Sequence, residues 1–326
     1  MKTISVMTPC FNEEENVQEL YQRVRQAIIA AGPYRYEHIF IDNNSQDRTV
    51  EILKEIARHD HNVKIIVNTR NFGHIRSPMH ALMQARGDAV IGMASDLQDP
   101  PELITEMIAK WEQGYPMVLC IKKSSQENPL MFWVRKQYYR LVQRLSQIQT
   151  FQNFTGFGLY DRKVVEAVRS FGDPYPFFRG MIAEVGLPHY ELSYEQPGRT
   201  RGITKNNFYS LYDLAMLGIT NLSKVPLRLV IGLGFVSSIL SLLAGLGYFV
   251  YKLLYWNSFS VGIPPLIIGL FFLGSVQLVS MGILGEYLGA IHTQVQNRPY
   301  VIEKERVNFE YQPAEPLQAT HSETRL

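Results

Sequence analysis

Asp96, Gln98 and Asp99 stand together in one short stretch, Met93-Ala94-Ser95-Asp96-Leu97-Gln98-Asp99-Pro100-Pro101-Glu102. Their oxygens are hard donors, the kind that hold Mg²⁺ or Mn²⁺ against substrate phosphates. A solvated acidic loop, with Pro-Pro-Glu opening the next helix, is the competing reading. Two further acids follow apolar runs: Glu13 after residues 4–8, and Asp42 after residues 38–41. A later segment has the opposite charge. Pro197-Gly198-Arg199-Thr200-Arg201-Gly202-Ile203-Thr204-Lys205 is basic, glycine-punctuated and suited to gripping phosphate. Acids for a cation and bases for a phosphate are complementary parts of one phosphate-handling site.

These groups need elements to position them. The run Asp88-Ala89-Val90-Ile91-Gly92-Met93 reads as a buried parallel strand. Residues 4–8, 38–41, 63–67 and 118–121 read the same way. Leu20, Val24, Ala27 and Ile28 recur at helical spacing after the first strand. Val50, Ile52, Leu53 and Ile56 do so after the second, and Met79, Leu82 and Met83 after the turn Asn71-Phe72-Gly73-His74. Strand and helix alternate at short intervals, which predicts an α/β fold with a doubly wound, parallel sheet. Ligands bind such sheets at the carboxyl edge. Glu13, Asp42 and Asp96 all fall at that edge, which favours the metal–phosphate reading of the opening stretch. Residues 153–160 carry two glycines and are expected to line the cleft, with a helix over 161–168. Residues 132–141 predict a basic, aromatic helix, either a solvated face or a cradle for an anionic headgroup.

Composition bounds the rest. A chain of 326 residues has room for about two domains. The formal net charge is +2, so nothing in the overall charge points to nucleic acid. Cys10 and Cys120 are the 2 cysteines, far apart and in apolar runs, which excludes a disulfide framework and fits a reducing compartment. The N-terminus enters a strand directly, with no signal-peptide pattern. Residues 229–251 carry no charge, nor do residues 256–285. Each run exceeds the roughly 20 apolar residues that cross a bilayer. The expected organisation is a soluble domain over 1–206 and an interfacial amphipathic helix over 207–228. Two membrane helices follow at about 229–251 and 264–285, then a cytoplasmic tail over 293–326 whose part after Val307 is polar and expected to be disordered. Lys224, Arg228, Arg298, Lys304 and Arg306 flank the pair, whereas the connection carries only Lys252. That bias puts the soluble domain and both termini on the cytoplasmic side of the inner (plasma) membrane. Gly232, Gly234, Gly245, Gly247, Gly269 and Gly274 allow close helix packing, hence an expected homo-oligomer.

Taken together, the motifs resemble those of the polyprenyl-phosphate glycosyltransferases. These are a branch of family-2 glycosyltransferases that includes bacterial GtrB- and ArnC-like enzymes and dolichol-phosphate mannose synthase. The matching segments are Pro9-Cys10-Phe11-Asn12-Glu13, Asp42-Asn43-Asn44-Ser45-Gln46-Asp47-Arg48-Thr49, Arg70-Asn71-Phe72-Gly73, Asp96-Leu97-Gln98-Asp99-Pro100-Pro101-Glu102, Thr155-Gly156, Gly202-Ile203-Thr204-Lys205 and Gly282-Ile283-Leu284-Gly285-Glu286-Tyr287. They run in family order over about residues 3–300. The resemblance implies a GT-A fold and inverting transfer of a sugar from a nucleotide diphosphate sugar, most commonly a UDP-sugar, to polyprenyl phosphate at the bilayer. It places Pro9, Asn12, Glu13, Asp42 and Asn71 on the nucleotide. It assigns Asp96, the catalytic candidate, and Gln98 to a Mg²⁺ or Mn²⁺ ion, with Asp99 a further candidate ligand. Lys123 and Arg135 match the acceptor-phosphate residues, and Arg199 and Lys205 the diphosphate grip.

Three positions depart from the family pattern. Ala94 stands where the first Asp of Asp-x-Asp is usual, Phe157 where an Asp proposed as base follows Thr-Gly, and His74 where a lysine is usual. A phosphate monoester is mostly dianionic at neutral pH, its second pKa being about 6, so it needs little help from a base. The departures leave an alternative: a divergent, non-catalytic paralogue that binds nucleotide or scaffolds a glycan-assembly complex. A processive synthase fits less well, because two spans make no translocation pore and the chain has no Gln-x-x-Arg-Trp motif.

Overall fold

The computed structural model describes residues 1–123, 151–197, 216–220, 223–255 and 263–309. The first half alternates strand and helix as its periodicity dictates: β1 Thr3–Cys10, α1 Val17–Ala31, β2 Arg35–Asp42, α2 Thr49–His59, β3 Val63–Asn68, α3 Gly73–Gln84, β4 Ala89–Gly92, α4 Leu103–Glu112 and β5 Met117–Lys122. Then come β6 Phe154–Asp161, α5 Arg162–Ser170, α6 Phe178–Val185 and β7 His189–Tyr194. Two long helices, α7 Val225–Leu254 and α8 Ile263–Val295, precede β8 Glu303–Val307.

The described strands form one sheet in the order β7-β5-β6-β4-β1-β2-β3-β8. β1 to β4 are mutually parallel, as the alternation predicts. The sheet as a whole is mixed, because β6 runs antiparallel to β4 and β5, and β8 antiparallel to β3. This reversal matters for the site. Since β6 runs backwards, its first residues lie at the carboxyl edge of β4. β7 is parallel to β5 and so ends at that edge too. Leu20, Val24, Leu53, Ile56, Ile104 and Met107 from α1, α2 and α4 cover one face of the sheet. Met79, Leu82, Val164, Val168, Met181 and Ile182 from α3, α5 and α6 cover the other. Both cysteines are buried free thiols in this core.

α7 and α8 are about 45 and 50 Å long at 1.5 Å per residue, so both exceed the bilayer core. Among their described residues the apolar side chains face outward, as Leu233, Phe235, Leu242, Phe271 and Leu278 do. So much uncovered apolar surface on two such helices indicates membrane association. The helices overrun the expected limits. α7 begins at Val225, inside the stretch read as interfacial, and α8 continues to Val295. The Tyr287 hydroxyl donates to the Ser223 carbonyl at 2.6 Å and ties the two together near the start of α7.

Residues 298–309, the first part of the expected tail that follows α8, fold back over the α/β domain. The Thr69 N–H donates to the Ile302 carbonyl at 3.0 Å, and the Asn308 amide donates to the carbonyls of Ala57 and Val63 at 2.8 and 2.9 Å. Glu303 binds His80 on α3 and Arg306, and Arg76 donates to the Pro299 carbonyl. β8 is short and mostly charged, the composition of a protected sheet edge. It lacks the apolar alternation that marks a strand.

Candidate active site

A cavity of about 490 Å³ opens at the carboxyl edge of the central strands. Pro9, Met93, Ala94, Asp96, Gln98 and Asp99 line it from the ends of β1 and β4. Lys122, Thr155, Gly156, Phe157 and Gln196 come from β5, β6 and the residues after β7. His74, Ile75, Pro78 and Met79 of α3 form another wall, with Phe178 and Arg179 of α6. Pro78 has no N–H to give the carbonyl one turn back, at His74, which loosens α3 where it meets the cavity. Leu217, in the helical segment 216–220 that leads toward α7, completes the lining.

The loop after β4 is shaped to present two oxygen donors. Leu97 has φ 59, a left-handed conformation that is costly for a bulky residue. Its side chain packs in the core, while Asp96 and Gln98 on either side face the cavity. Asp96 Oδ1 also accepts from the Gln98 N–H at 3.2 Å. Asp99 is used differently. Its Oδ2 accepts from the Ala94 N–H at 3.1 Å, and its Oδ1 from the Tyr194 hydroxyl at 3.0 Å. Burial pushes its carboxyl above the usual range, and the Ala94 N–H, Lys122 and Tyr194 oppose that rise. Both Asp99 oxygens are thus engaged in closing the loop, and Asp96 and Gln98 remain the better donors.

Among the described residues, no three His, Cys, Asp or Glu side chains gather as a ready cation cage. A carboxylate and an amide oxygen on one wall still fit Mg²⁺ or Mn²⁺. Such an ion completes its shell with substrate phosphate oxygens and water.

Cations face these acids. Lys122 Nζ lines the cavity and donates to Gln196 Oε1 at 2.8 Å. Lys123, the lysine matched from sequence, is exposed and is not part of the lining, although its N–H donates to the Tyr194 carbonyl at 2.9 Å. Neighbouring strand residues point to opposite faces, so only one of two adjacent lysines can serve one cavity. Arg179 is a second cavity cation that sequence reading did not single out; nothing around it in the sequence marks it. Burial, then the Arg179 charge, hold the His74 imidazole below its ordinary range, so the ring is neutral at pH 7. Arg135, Arg199 and Lys205 lie outside the described residues, as do the basic helix expected at 132–141 and most of the stretch at 207–222.

The expected nucleotide residues other than Pro9 sit at the adjoining strand ends, outside the cavity wall. Their side chains lace loops together. Asp42 accepts from the Ser45 N–H at 2.9 Å and from the Ser45 hydroxyl, and burial raises its pKa despite those bonds. Asn12 Oδ1 accepts from the Gln46 N–H at 2.8 Å, and the Asn12 N–H donates to Ser45 Oγ at 2.8 Å. Glu13 accepts from the Asn16 amide at 2.6 Å. Asn71 Oδ1 accepts from Asn43 at 2.9 Å and from the Gly73 N–H at 2.8 Å. Asn43, which sequence reading passed over, is the hub here. Its Oδ1 also takes bonds from Asn68 at 3.2 Å and from the Phe72 N–H at 2.8 Å. The result is a rigid, polar platform over β1, β2 and β3.

The model of "Glycosyl transferase family 2" matches residues 5–169. The SfII prophage-derived bactoprenol glucosyl transferase of Shigella flexneri is 36% identical, over 92% of this chain and 97% of its own. An uncharacterized glycosyltransferase of Synechocystis sp. is 33% identical, over 96% of this chain and 98% of its own. Among solved structures, glucosyl-3-phosphoglycerate synthase from Mycobacterium tuberculosis in complex with Mn²⁺, UDP and phosphoglyceric acid matches with a TM-score of 0.46 at 17% identity. That match covers 67% of this chain and 76% of the other.

Proposed function

The chain belongs to glycosyltransferase family 2, with a GT-A-like mixed sheet, and from that premise we propose that it transfers a sugar from a nucleotide diphosphate sugar to polyprenyl phosphate. The carrying observation is the extent of the likeness to a bactoprenol glucosyl transferase. It spans 92% of the chain and so includes apolar helices as well as the catalytic fold. No observation favours the non-catalytic alternative.

In this reading the polar platform of Asn12, Glu13, Asp42 and Asn71 underlies the nucleotide, with UDP as the first candidate. Pro9 leads from it into the cavity. Asp96 and Gln98 hold the divalent cation, which when bound offsets charge on the leaving diphosphate. Arg199 and Lys205 grip the diphosphate. Lys122 and Arg179 face the acceptor phosphate from within the cavity, with Arg135 a further candidate. Gln196 fixes the Lys122 ammonium in place. An acceptor phosphate oxygen attacks the anomeric carbon as the bond to the diphosphate breaks, with inversion. Phe157 supplies no base, and a phosphate dianion needs none. Leu217 and the segment behind it bring the cavity to the acceptor, which puts the active face at the cytoplasmic membrane surface. A homo-oligomer packed through α7 and α8 fits the glycines on those helices.

The test uses the full chain in nanodiscs with undecaprenyl phosphate and a panel of nucleotide sugars, UDP-sugars first. A lipid-linked monosaccharide is expected with at least one donor. Folded protein that yields no product with any donor overturns the proposal.

A further inference from the structure

The end of β7 reaches the active cavity, and neither its sequence nor the family match draws attention to it. Tyr194 is the last residue of β7 and pairs with Lys122 in the parallel register. Its ring is buried and stacks edge-on against Phe157, with centroids 5.6 Å apart and planes at 81°. Its hydroxyl donates to Asp99 Oδ1 at 3.0 Å, with the Thr155 side chain beside it. Asp99 in turn closes the loop through the Ala94 N–H at 3.1 Å. Between Ala94 and Asp99 lie Asp96, the left-handed Leu97 and Gln98. A bulky residue in that conformation stays there only when its surroundings hold it. The hydroxyl is the anchor that Asp99 takes from outside its own loop. Two residues on, Gln196 holds Lys122.

We infer that Tyr194 is a positioning residue for transfer, whose hydroxyl, through Asp99, fixes the loop that aims Asp96 and Gln98 at the donor's cation and diphosphate. The inference rests on the transferase reading of the cavity and adds a residue to it. Phe157 has a part in the same device. Where the family pattern carries an acid, the ring backs the Tyr194 ring and keeps its hydroxyl on Asp99. With Ala94 contributing no carboxylate, the loop has fewer donors, so the placing of Asp96 and Gln98 carries more of the binding.

Tyr194→Phe in the full chain is the test, since it keeps the ring packing and removes one hydroxyl. Mn²⁺ affinity in the presence of UDP, measured by calorimetry, is expected to weaken about tenfold, the effect of a lost hydrogen bond to a charged group. The kcat/KM for the donor falls by a similar factor, while the KM for the lipid acceptor stays close to wild type. Unchanged Mn²⁺ affinity and donor kcat/KM overturn the inference. So does a variant that melts earlier yet binds Mn²⁺ normally, which marks a merely structural bond. Thr155→Val serves as a second variant. It removes a neighbour of the same hydroxyl without touching Asp99, and is expected to move Mn²⁺ affinity less than Tyr194→Phe; an equal or larger effect places the control at Thr155 and overturns the inference. If the wild type transfers no sugar at all, the functional proposal fails, and the Mn²⁺ titration still decides the role of Tyr194.

Discussion

Asp96 and Asp99 are three residues apart and chemically identical, yet the fold gives them different work. Asp96 faces the cavity, whereas Asp99 is buried and takes bonds from Ala94 and Tyr194. Asp96→Ala is therefore expected to lower kcat by about 100-fold or more, the usual cost of removing one preorganised electrostatic contact, with little change in melting temperature. Activity within a few-fold of wild type would remove Asp96 from the mechanism. The adjacent lysines separate in the same way. Lys122→Ala is expected to raise the KM for the lipid acceptor about tenfold, as loss of a charge-assisted phosphate contact does, and Lys123→Ala to change it less than about twofold. Equal effects would mean that the cavity does not select between them. Sequence pattern named the Asp96 stretch because a hard-oxygen cluster after an apolar run is visible in one dimension. It named Lys123 over Lys122 because a run of two lysines does not reveal which face each occupies. Arg179 and Tyr194 were invisible for a different reason. Arg179 reaches the cavity on α6, and Tyr194 reaches Asp99 from the end of β7; both elements are distant in sequence from the Asp96 loop.

At the scale of elements, the four parallel strands and their helices were legible from periodicity alone, because buried strands and amphipathic helices repeat at different intervals. β6 was not. Phe154–Asp161 contains glycines that serve strand packing as well as the cleft. A methyl on Gly158 would lie against the Val118 carbonyl oxygen, backbone that cannot move aside. Gly158→Ala is expected to cost about 1–3 kcal/mol in thermal or denaturant unfolding, the range for overpacking. A neutral result would mean that β5 and β6 can part without cost. β8 was missed because its residues are charged, and its stability depends on that charge. Burial alone would raise the Glu303 pKa, but hydrogen bonds from His80 and Arg306 outweigh it and hold the carboxyl at about 2. A depressed carboxyl pKa adds stability that is present above the ordinary value of about 4.3 and is lost as pH falls through the folded value. Hydrogen exchange of the β8 amides is expected to accelerate as pH drops from about 4.5 toward 2, after correction for intrinsic rates. Glu303→Gln should flatten that dependence, and an unchanged profile in the variant would show that other groups control it.

At the scale of the molecule, the chain leaves the α/β domain toward α7 beyond Leu217 and returns from α8 through residues 298–303. A chain cut after Gln296 keeps both long apolar helices and is expected to enter membranes normally. Its β3 amides should lose protection against exchange, since β8 no longer pairs with them, and its transfer rate should fall. Full β3 protection in the truncated chain would show that β8 does not stabilise β3. Attachment through two apolar helices also has a kinetic consequence. A body tied to a surface by one flexible tether samples many tilts and meets each lipid in a different attitude. A second tether, anchored on the far edge of the same sheet, removes most of those tilts. Every encounter with an acceptor then begins from nearly the same pose, and the search for substrate becomes lateral drift in a plane in place of rotation in space.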